Sequence, residues 1–366
     1  MALGSVRIEQ FRCIELAELE LDPGTTLIVG PNGSGKTSLL EALFVLGRGR
    51  SFRTARLETA IRHGGGTLRV VGTIRNGAHS LTMGIENDGR ETRARIGGEP
   101  VESLAELSRC FPVQAIDPGI HKLIEEGPIR RRRFLDWGVF HVEQGFLVQW
   151  QRFHRALRQR NAALRKAVDE AELSAWDREL ASAGIEVAEA RGHYLSRIRP
   201  NLESVARRLL GIDVTIEYSQ GWPSDTDLVV TLAGRRPIDR ARRTTTAGPH
   251  RADLQIRIGG RPAKDTVSRG QQKLLAAALI LGQVEFHQRE RDLIPTLLLD
   301  DPAAELDGDH FNRLVDAVAG LHAQLVVTSP QPDFIALGKP GRRFHVEQGC
   351  IAEMYNPGPQ IRGAHG

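Results

Sequence analysis

The stretch Gly30-Pro31-Asn32-Gly33-Ser34-Gly35-Lys36-Thr37 follows the apolar run Leu27-Ile28-Val29 and precedes Ser38-Leu39-Leu40-Glu41-Ala42-Leu43. This order predicts a buried strand, a glycine-rich loop and a helix that begins near Lys36. The stretch matches the phosphate-loop pattern G-x-x-x-x-G-K-[ST] in the context that the pattern requires. Glycines adopt the positive φ angles that turn backbone N–H groups toward phosphate oxygens. A glycine-rich turn that merely joins a strand to a helix is the simpler alternative, but it does not explain the Lys-Thr ending.

Residues of this loop have predicted roles in holding a nucleoside triphosphate. Lys36 supplies a point charge to the β and γ phosphates, so it is also a candidate catalytic residue. The Thr37 hydroxyl is placed to hold Mg²⁺. The N-terminal dipole of the helix favours the same anion. We therefore expect ATP and Mg²⁺ as cofactors, with the nucleotide bound by Gly30, Pro31, Asn32, Gly33, Ser34, Gly35, Lys36, Thr37 and Ser38.

Length and composition favour a multidomain protein without membrane or disulfide signatures. The 366 residues suffice for two or three domains. Lys and Arg number 49 against 45 Asp and Glu, so the net charge of +4 is only weak evidence for an anionic partner. Cys13, Cys110 and Cys350 are far apart and show no metal-ligand spacing, which favours a reducing compartment. The longest apolar run, Leu274 to Leu281, is too short to cross a bilayer, so we expect a cytosolic, cytoplasmic location and no membrane partner.

The remaining patterns divide the chain into strand-rich and helical regions. Turn signals between Thr67 and Val101 separate apolar runs and predict an antiparallel meander beside the nucleotide-binding sheet. From about Ile120 to Leu210 the patterns are mostly helical, whereas Asp227 to Leu232 alternates like a strand. Three segments are rich in basic residues, namely Gly47–Arg53, Gln151–Lys166 and Arg235–Arg243. The second of them is predicted to be a helix with one buried and one strongly basic side.

Two acidic residues follow an apolar run in the C-terminal part of the chain. Leu297-Leu298-Leu299 predicts a buried parallel strand, and Asp300 and Asp301 come at its carboxyl end, where open α/β sheets bind ligands. Asp300 is placed to hold Mg²⁺ directly or through water. Asp301 is placed to orient the attacking water or to accept its proton, so it is a candidate catalytic residue.

The segment Ser268-Arg269-Gly270-Gln271-Gln272-Lys273 opens a long predicted helix, 32 residues (300 minus 268) before Asp300. A serine N-cap followed by glycine makes another anion-binding helix end, although one subunit needs only one such loop for its nucleotide. The segment resembles the S-G-G-Q signature with which one ATP-binding-cassette subunit binds the γ-phosphate held by its partner. Ser268, Arg269, Gly270 and Gln271 are therefore candidate nucleotide-binding residues of a head-to-tail dimer. An ordinary N-capped helix is the alternative.

Nearly the whole chain resembles the RecF family, cassette-type DNA-repair ATPases that are related to the heads of SMC proteins. The phosphate loop is shared with many ATPases, whereas its combination with the Ser268 segment, Asp300-Asp301 and Glu305-Leu306-Asp307 is far more specific. Further matching segments are Ile8-Glu9-Gln10-Phe11-Arg12, Arg130-Arg131-Arg132-Arg133-Phe134-Leu135-Asp136-Trp137, Gly248-Pro249-His250-Arg251-Ala252-Asp253-Leu254 and Asp300-Asp301-Pro302-Ala303-Ala304.

The resemblance implies an α/β fold, an ABC-type ATPase head with a parallel nucleotide-binding sheet and an antiparallel β-meander. We expect residues 1–119 to form the N-terminal half of this head and residues 244–366 its C-terminal half. Residues 120–243 then form an inserted, mainly helical second domain with a short hairpin.

The resemblance also assigns roles to residues outside the three motifs. Gln114 matches the loop glutamine that contacts Mg²⁺ and water and senses the γ-phosphate, which makes it a candidate metal ligand and catalytic residue. Arg12 lies where related heads place an arginine near the nucleotide. Leu306-Asp307 matches the loop that crosses the dimer interface.

The chain departs from the cassette pattern at two places. Asp301 stands where most cassette ATPases have glutamate, so the carboxylate is one methylene shorter and we expect slow hydrolysis. Thr328-Ser329-Pro330 stands where many relatives have a switch histidine. A hydroxyl of this segment is a candidate contact for the γ-phosphate.

The resemblance implies an ATP-dependent DNA-binding protein of replication and recombinational repair. Its expected substrate is gapped DNA or another junction between single-stranded and duplex DNA. Its expected partners are a second copy of itself, bound while ATP is bound, and RecR and RecO, with the recombinase RecA acting downstream. The basic segments are compatible with contacts to the DNA backbone, and the scarcity of aromatic residues argues against base stacking.

Other functions share some of these motifs. A transporter nucleotide-binding subunit does not explain the basic helical insert or Asp301. An SMC-like structural ATPase needs a heptad seam sustained over several repeats, which the sequence between the two halves of the site lacks. A nuclease with an ATPase head needs a further acidic or His/Cys cluster, which does not follow the ATPase motifs in this sequence.

Overall fold

A computed structural model gives the structure of the chain and describes residues 2–291, 295–304, 306–331, 334 and 336–354. The chain divides into two compact units. The first unit consists of Met1–Pro118 and Asp292–Gly366, and it contains the phosphate loop, Asp300 and Asp301. The second unit is Gly119–Arg291, and it contains the Ser268 segment.

Strands and helices are numbered in chain order. The strands are β1 (Ala2–Phe11), β2 (Ile14–Glu20), β3 (Thr25–Val29), β4 (Leu68–Asn76), β5 (His79–Asn87), β6 (Thr92–Ile96), β7 (Glu99–Pro100), β8 (Val113–Ile116), β9 (Thr215–Ser219), β10 (Asp253–Ile258), β11 (Arg261–Pro262), β12 (Thr296–Asp300), β13 (Gln324–Ser329), β14 (Arg342–Glu347) and β15 (Cys350–Glu353). The helices are α1 (Lys36–Arg48), α2 (Ala105–Cys110), α3 (Lys122–Glu125), α4 (Pro128–Val142), α5 (Phe146–Lys166), α6 (Glu170–Leu210), α7 (Leu228–Gly234), α8 (Arg236–Arg242), α9 (Arg269–Arg291) and α10 (Gly308–Ala319). Within the described residues, no helix has both the length and the apolar character that crossing a membrane requires.

A mostly parallel sheet in the first unit carries the candidate site. Its strand order is β15-β14-β3-β13-β12-β8, and only β14 and β15 pair antiparallel. Strands β12 and β13 are buried along their whole length, as continuous apolar sequences predict. Val29 pairs with Ser329 and Asp300 pairs with Thr328, so the carboxyl ends of β3, β13 and β12 lie at one edge. The parallel strand predicted at Leu297-Leu298-Leu299 is confirmed, and this edge places the phosphate loop beside Asp300.

An antiparallel sheet of order β2-β1-β4-β5-β6-β7 completes the first unit. Strands β4 to β7 follow one another through short turns, so the meander predicted between Thr67 and Val101 is confirmed. One apolar core joins this sheet to α1 and to the parallel sheet through buried side chains such as Ile8, Leu43, Val70 and Val326. The α/β fold with a parallel nucleotide-binding sheet and an antiparallel meander is therefore confirmed.

The second unit is mainly helical. Helix α6, 41 residues long, packs against α4, α5, α7 and α9, and β9, β10 and β11 form a small antiparallel sheet. The helix predicted at Gln151–Lys166 is confirmed as part of α5. The strand predicted at Asp227–Leu232 is wrong, because this segment forms α7. Its buried residues Leu228, Thr231 and Leu232 have the i, i+3, i+4 spacing of a helix, and β-branched neighbours produced the apparent alternation.

The segment 244–291 belongs to a different compact unit from the one that the sequence predicts. The sequence analysis assigns it to the ATPase head, whereas in the structure it belongs to the compact unit Gly119–Arg291. Strand β10 pairs with β9, and α9 packs against α6, so both elements are held within the helical unit. The functional division into 1–119, 120–243 and 244–366 remains a prediction.

Candidate nucleotide-binding site

The phosphate loop joins β3 to α1 in backbone conformations that its glycines allow. Gly33 and Gly35 have φ angles of 81° and 117°. A Cβ atom on Gly35 would lie 2.9 Å from Sγ of Cys13, and one on Gly30 would lie 2.2 Å from the carbonyl oxygen of Val346. Side chains at Gly35 and Gly30 would therefore collide with the neighbours of the loop, which explains why glycine occupies them.

Lys36 begins α1 and folds back onto the loop. Its Nζ donates hydrogen bonds to the carbonyl oxygens of Gly30 at 2.7 Å and Pro31 at 2.9 Å. Burial lowers the pKa of the Lys36 ammonium, while the nearby carboxylates of Asp301 and Asp300 act to raise it. The predicted triphosphate contact and both predicted acids are thus brought together at the carboxyl edge of the sheet.

The structure brings Thr37 and Asp300 together from opposite ends of the chain. Thr37 Oγ1 lies 2.8 Å from Oδ2 of Asp300 and 3.1 Å from its Oδ1. Ser34 Oγ is buried and has no hydrogen-bond partner among the described residues, which fits a group that binds a ligand. Hydroxyl and carboxylate oxygens are the protein ligands of Mg²⁺ where the ion also binds nucleotide phosphates. The donor set therefore fits Mg²⁺, with Thr37 and Asp300 as the residues that would hold it.

Thr328 links the two aspartates. It is fully buried, and its Oγ1 donates to Oδ1 of Asp300 at 2.8 Å and accepts from the backbone N–H of Asp301 at 2.9 Å. Asp301 has a left-handed φ angle of 48°, so this hydrogen bond holds an uncommon backbone conformation. The sequence analysis missed this role, because the pairing of β12 with β13 is not visible in the sequence. The predicted γ-phosphate contact by Thr328 or Ser329 remains a prediction.

Gln114 lies in a strand of the parallel sheet, and its predicted contacts with Mg²⁺ and water remain a prediction. Gln114 is buried in β8 and pairs with Leu297, three residues before Asp300. At about 3.3 Å per residue, this register sets Gln114 about 10 Å along the sheet from the level of Asp300. Asp117, the first residue after β8, continues the register to that level. The resemblance placed Gln114 in a loop, whereas it lies within a strand.

Arg12 lies in the turn between β1 and β2 and rests on α1. Its guanidinium donates to the carboxylate of Glu41 at 2.8 and 3.1 Å and to the carbonyl oxygen of Thr59 at 2.8 Å. The next residue, Cys13, has its Sγ 3.8 Å from Oγ of Ser38. The turn therefore packs against the first two turns of the helix that the phosphate loop opens. The contact between Arg12 and nucleotide remains a prediction.

Ser268 caps α9, as the sequence predicts. Its Oγ accepts from the backbone N–H of Gln271 at 3.3 Å, and the Gln271 side chain accepts from the backbone N–H of Ser268 at 3.0 Å. This reciprocal pair is a capping box. The Gln272 amide donates to the carbonyl oxygens of Lys264 at 3.1 Å and Val267 at 3.4 Å, which fixes the preceding segment to the helix. Ser268 and Arg269 are exposed, so a second molecule could reach this helix end.

Asp307 begins α10 as its N-cap. Its carboxylate accepts from the backbone N–H of His310 at 2.9 Å and lies 2.6 Å from Nδ1 of the same residue. Hydrogen bonds from His310 lower the pKa of the Asp307 carboxyl. Glu305, from the same predicted motif, lies outside the described residues. The place of Leu306-Asp307 at a dimer interface remains a prediction.

Acidic residues neutralise much of the charge in the basic segments. Arg160 of α5 is fully buried against Asp177 and Asp239, although the sequence analysis counted it on a basic side. Arg160 has no acidic neighbour in the sequence, and such a residue is expected to be solvent-exposed. Its acidic partners come instead from α6 and α8. The basic residues of α5, of α8 and of the C-cap of α8 that remain exposed are Arg155, Arg158, Arg165, Lys166, Arg242 and Arg243.

Comparison with solved structures supports the fold. A structure described as the recombination mediator protein RecF-ATP in the RecFOR pathway matches with a TM-score of 0.88 at 24% identity, covering 97% of this chain and 98% of that chain. An SMC head bound to the C-terminal winged-helix domain of ScpA matches with a TM-score of 0.57 at 15% identity, covering 97% and 98% of the two chains. These similarities show the fold.

Sequence comparison shows the family. The family model described as RecF/RecN/SMC N terminal domain matches residues 2–351. The DNA replication and repair protein RecF of Azotobacter vinelandii is 40% identical over 365 residues, which cover 97% of this chain and 100% of that protein. The RecF protein of Shewanella halifaxensis is 36% identical over 362 residues, covering 98% and 99%. This chain therefore belongs to the RecF family of DNA replication and repair proteins, which are ATP-binding relatives of the SMC heads.

Proposed function

We propose that this chain hydrolyses ATP slowly, pairs with a second copy while ATP is bound, and acts on DNA during replication and recombinational repair. The contact between Thr37 and Asp300 carries this proposal. It assembles hard oxygen ligands directly beside a phosphate loop, which is the arrangement that MgATP needs. The name and pathway of the RecF relatives support a role in recombination mediation.

Each residue of the site has a separate proposed role in ATP binding or hydrolysis. Lys36 leaves its carbonyl partners for the β and γ phosphates, and backbone N–H groups of the loop bind the remaining phosphate oxygens. Thr37 and Asp300 would hold Mg²⁺, which would supply positive charge to neutralise the phosphates. Asp301 orients the attacking water, and its shorter side chain is the reason for slow turnover. Thr328 keeps both acids in place.

The exposed cap of α9 completes the site from the second copy. Each chain has one anion-binding helix end at α1 and another at Ser268, and in the proposed head-to-tail pair one nucleotide lies between α1 of one chain and Ser268 of the other. A ligand that bridges two subunits stabilises the pair by its binding free energy there. Hydrolysis then weakens the bridge and releases the dimer.

Light scattering with a non-hydrolysable ATP analogue tests this arrangement. We expect a dimer with the analogue, a monomer without it, and a long-lived ATP dimer for Asp301→Asn. Lys36→Met removes nucleotide binding or hydrolysis, whereas Ser268→Arg prevents pairing and leaves the ATP affinity of the monomer nearly intact. Equal loss of ATP binding in Ser268→Arg and Lys36→Met would contradict a two-subunit site. A wild-type chain that stays monomeric with analogue and gapped DNA would refute the proposal.

The proposed DNA substrate is a junction between single-stranded and duplex DNA, with RecR and RecO as partners and RecA downstream. The exposed basic residues of α5 and α8 support a contact to the phosphate backbone. If about six cations reach the backbone, log affinity falls with log salt concentration at a slope near −5. Fluorescence anisotropy of a labelled gapped duplex measures this slope. A flat salt dependence would exclude backbone contacts of this kind, and sedimentation of the complex with purified RecR tests that partner.

A further inference from the structure

Glu41 of α1 is a buried carboxylate at which three segments of the first unit meet. The residue is fully buried. It accepts from Arg12 in the β1–β2 turn, and from Ser51 and Arg53, which follow α1. Arg12 and Arg53 are the cations that pair with it. A buried carboxylate is stable only when charged partners and hydrogen bonds compensate it, so these arginines and Glu41 depend on one another.

The position of Glu41 on α1 connects this cluster to the phosphate site. Glu41 is four residues after Thr37, so both lie on one face of the helix, about 6 Å apart along its axis. Helical side chains lean toward the N-terminus of their helix, which here is the phosphate loop. The carboxylate of Glu41 is therefore about one turn behind the hydroxyl of Thr37 on the same face of α1.

The two arginines are held unequally. Arg12 makes a two-pronged contact with Glu41 and a further hydrogen bond to the carbonyl oxygen of Thr59, and only 22% of its side chain is exposed. Arg53 makes a single contact of 3.3 Å and is 46% exposed. Arg12 also has a left-handed φ angle of 54°, which is an uncommon backbone conformation for a residue other than glycine. Backbone preference alone would therefore not hold Arg12 in this place. Two guanidinium groups against one carboxylate leave a positive charge beside the phosphate loop.

We infer that Glu41 is a positioning residue of the ATPase site, which fixes the Arg12 guanidinium for contact with the triphosphate of the bound nucleotide. The inference rests on the proposed ATPase function and assigns the residue through which Arg12 is placed. A purely structural role, in which Glu41 only joins three segments, predicts a loss of stability without a specific effect on nucleotide affinity.

The affinity for a fluorescent ATP analogue and the single-turnover hydrolysis rate separate these roles. Glu41→Gln keeps the shape of the side chain but presents an amide N–H₂ group to the guanidinium, so Arg12 loses its fixed position. We expect the Kd to rise about tenfold, while the rate at saturating ATP changes less than about threefold. Glu41→Asp keeps the charge that folding needs and shortens the reach, so it should raise the Kd by a smaller factor. Glu58→Gln is the matched control, because Glu58 forms an exposed ion pair at 3.5 Å with Arg56.

A double-mutant cycle decides the outcome. If Glu41 acts through Arg12, then Glu41→Gln changes the Kd of an Arg12→Ala chain by less than about twofold. The same tenfold rise in both backgrounds, or an unchanged Kd in both Glu41 variants at intact melting temperature, would overturn the inference. If Lys36→Met also leaves nucleotide binding unchanged, the ATPase proposal fails as well. If only Glu41 is without effect, the ATPase proposal stands.

Discussion

Replacing Arg160 by methionine tests how much one buried guanidinium stabilises the helical unit. Arg160 Nε donates to Oδ1 of Asp177 at 2.6 Å, and its Nη1 donates to Oδ2 of Asp239 at 2.7 Å and to Oγ1 of Thr245 at 2.8 Å. Both carboxylates are at most 1% exposed. Methionine fills similar volume but leaves the acids without this cation.

The expected loss of stability depends on which partners each carboxylate retains after the substitution. Asp177 retains Arg236, whose Nε donates to it at 2.7 Å. Asp239 retains hydrogen bonds from the backbone and hydroxyl of Thr246, at 3.0 and 2.6 Å, but among the described residues its ion pair with Arg160 has no replacement. Removing one partner of a buried pair in this way costs about 3 to 5 kcal/mol. For the 173 residues (291 minus 118) of this unit, that corresponds to a fall in melting temperature of about 6 to 20 °C.

Urea unfolding followed by circular dichroism measures this free energy, and a thermal scan measures the melting temperature. Arg155→Met, an exposed arginine of the same helix, is the control and should change the free energy of unfolding by less than about 0.5 kcal/mol. Adding Asp239→Asn to Arg160→Met should restore part of the loss, because it removes the buried charge that lacks a cation. Equal, small effects of Arg160→Met and Arg155→Met would refute the reasoning.

Two further predictions concern the acids of the site and the stability of the second unit. Thr328→Val should reduce the hydrolysis rate about tenfold and change ATP affinity much less, since it removes one hydrogen bond each from Asp300 and Asp301; equal losses in single-turnover rate and analogue binding would contradict this. Burial lowers the pKa of His154 and of His250 from 6.5 to about 4. Between pH 4 and pH 6.5 the unfolded chain therefore binds more protons than the folded chain does. The free energy of unfolding should decrease as the pH falls from 6.5 to 4. Urea titrations across this range measure the slope, which His250→Gln should flatten, and an identical slope in the variant would count against the assignment.

Local patterns predicted the parts of the site that neighbouring residues determine. The strand, loop and helix around Lys36 follow from apolar runs, glycines and the spacing of the motif. The cap at Ser268 depends on Gln271, three residues away, and was predicted for the same reason. Asp300 was placed correctly because the carboxyl ends of parallel strands meet at one edge.

The features that local patterns did not reveal are determined by residues far apart in the chain. The level of Gln114 in the sheet depends on the register between β8 and β12, which are 180 residues apart in the chain (296 minus 116). The burial of Arg160 depends on carboxylates from two other helices. No sequence pattern singled out Glu41, because its arginines come from both sides of α1 in the sequence. Periodicity carries no information about such pairings.

The left-handed backbone at Asp301 has a consequence for how variants of this chain should be screened. Glycine adopts that conformation without the steric cost of about 1 to 2 kcal/mol that other residues incur. Asp301→Gly would relieve this backbone cost and would also delete the candidate catalytic carboxylate. A selection for heat resistance would therefore enrich inactive molecules here, and only a turnover assay would tell them apart from improved ones.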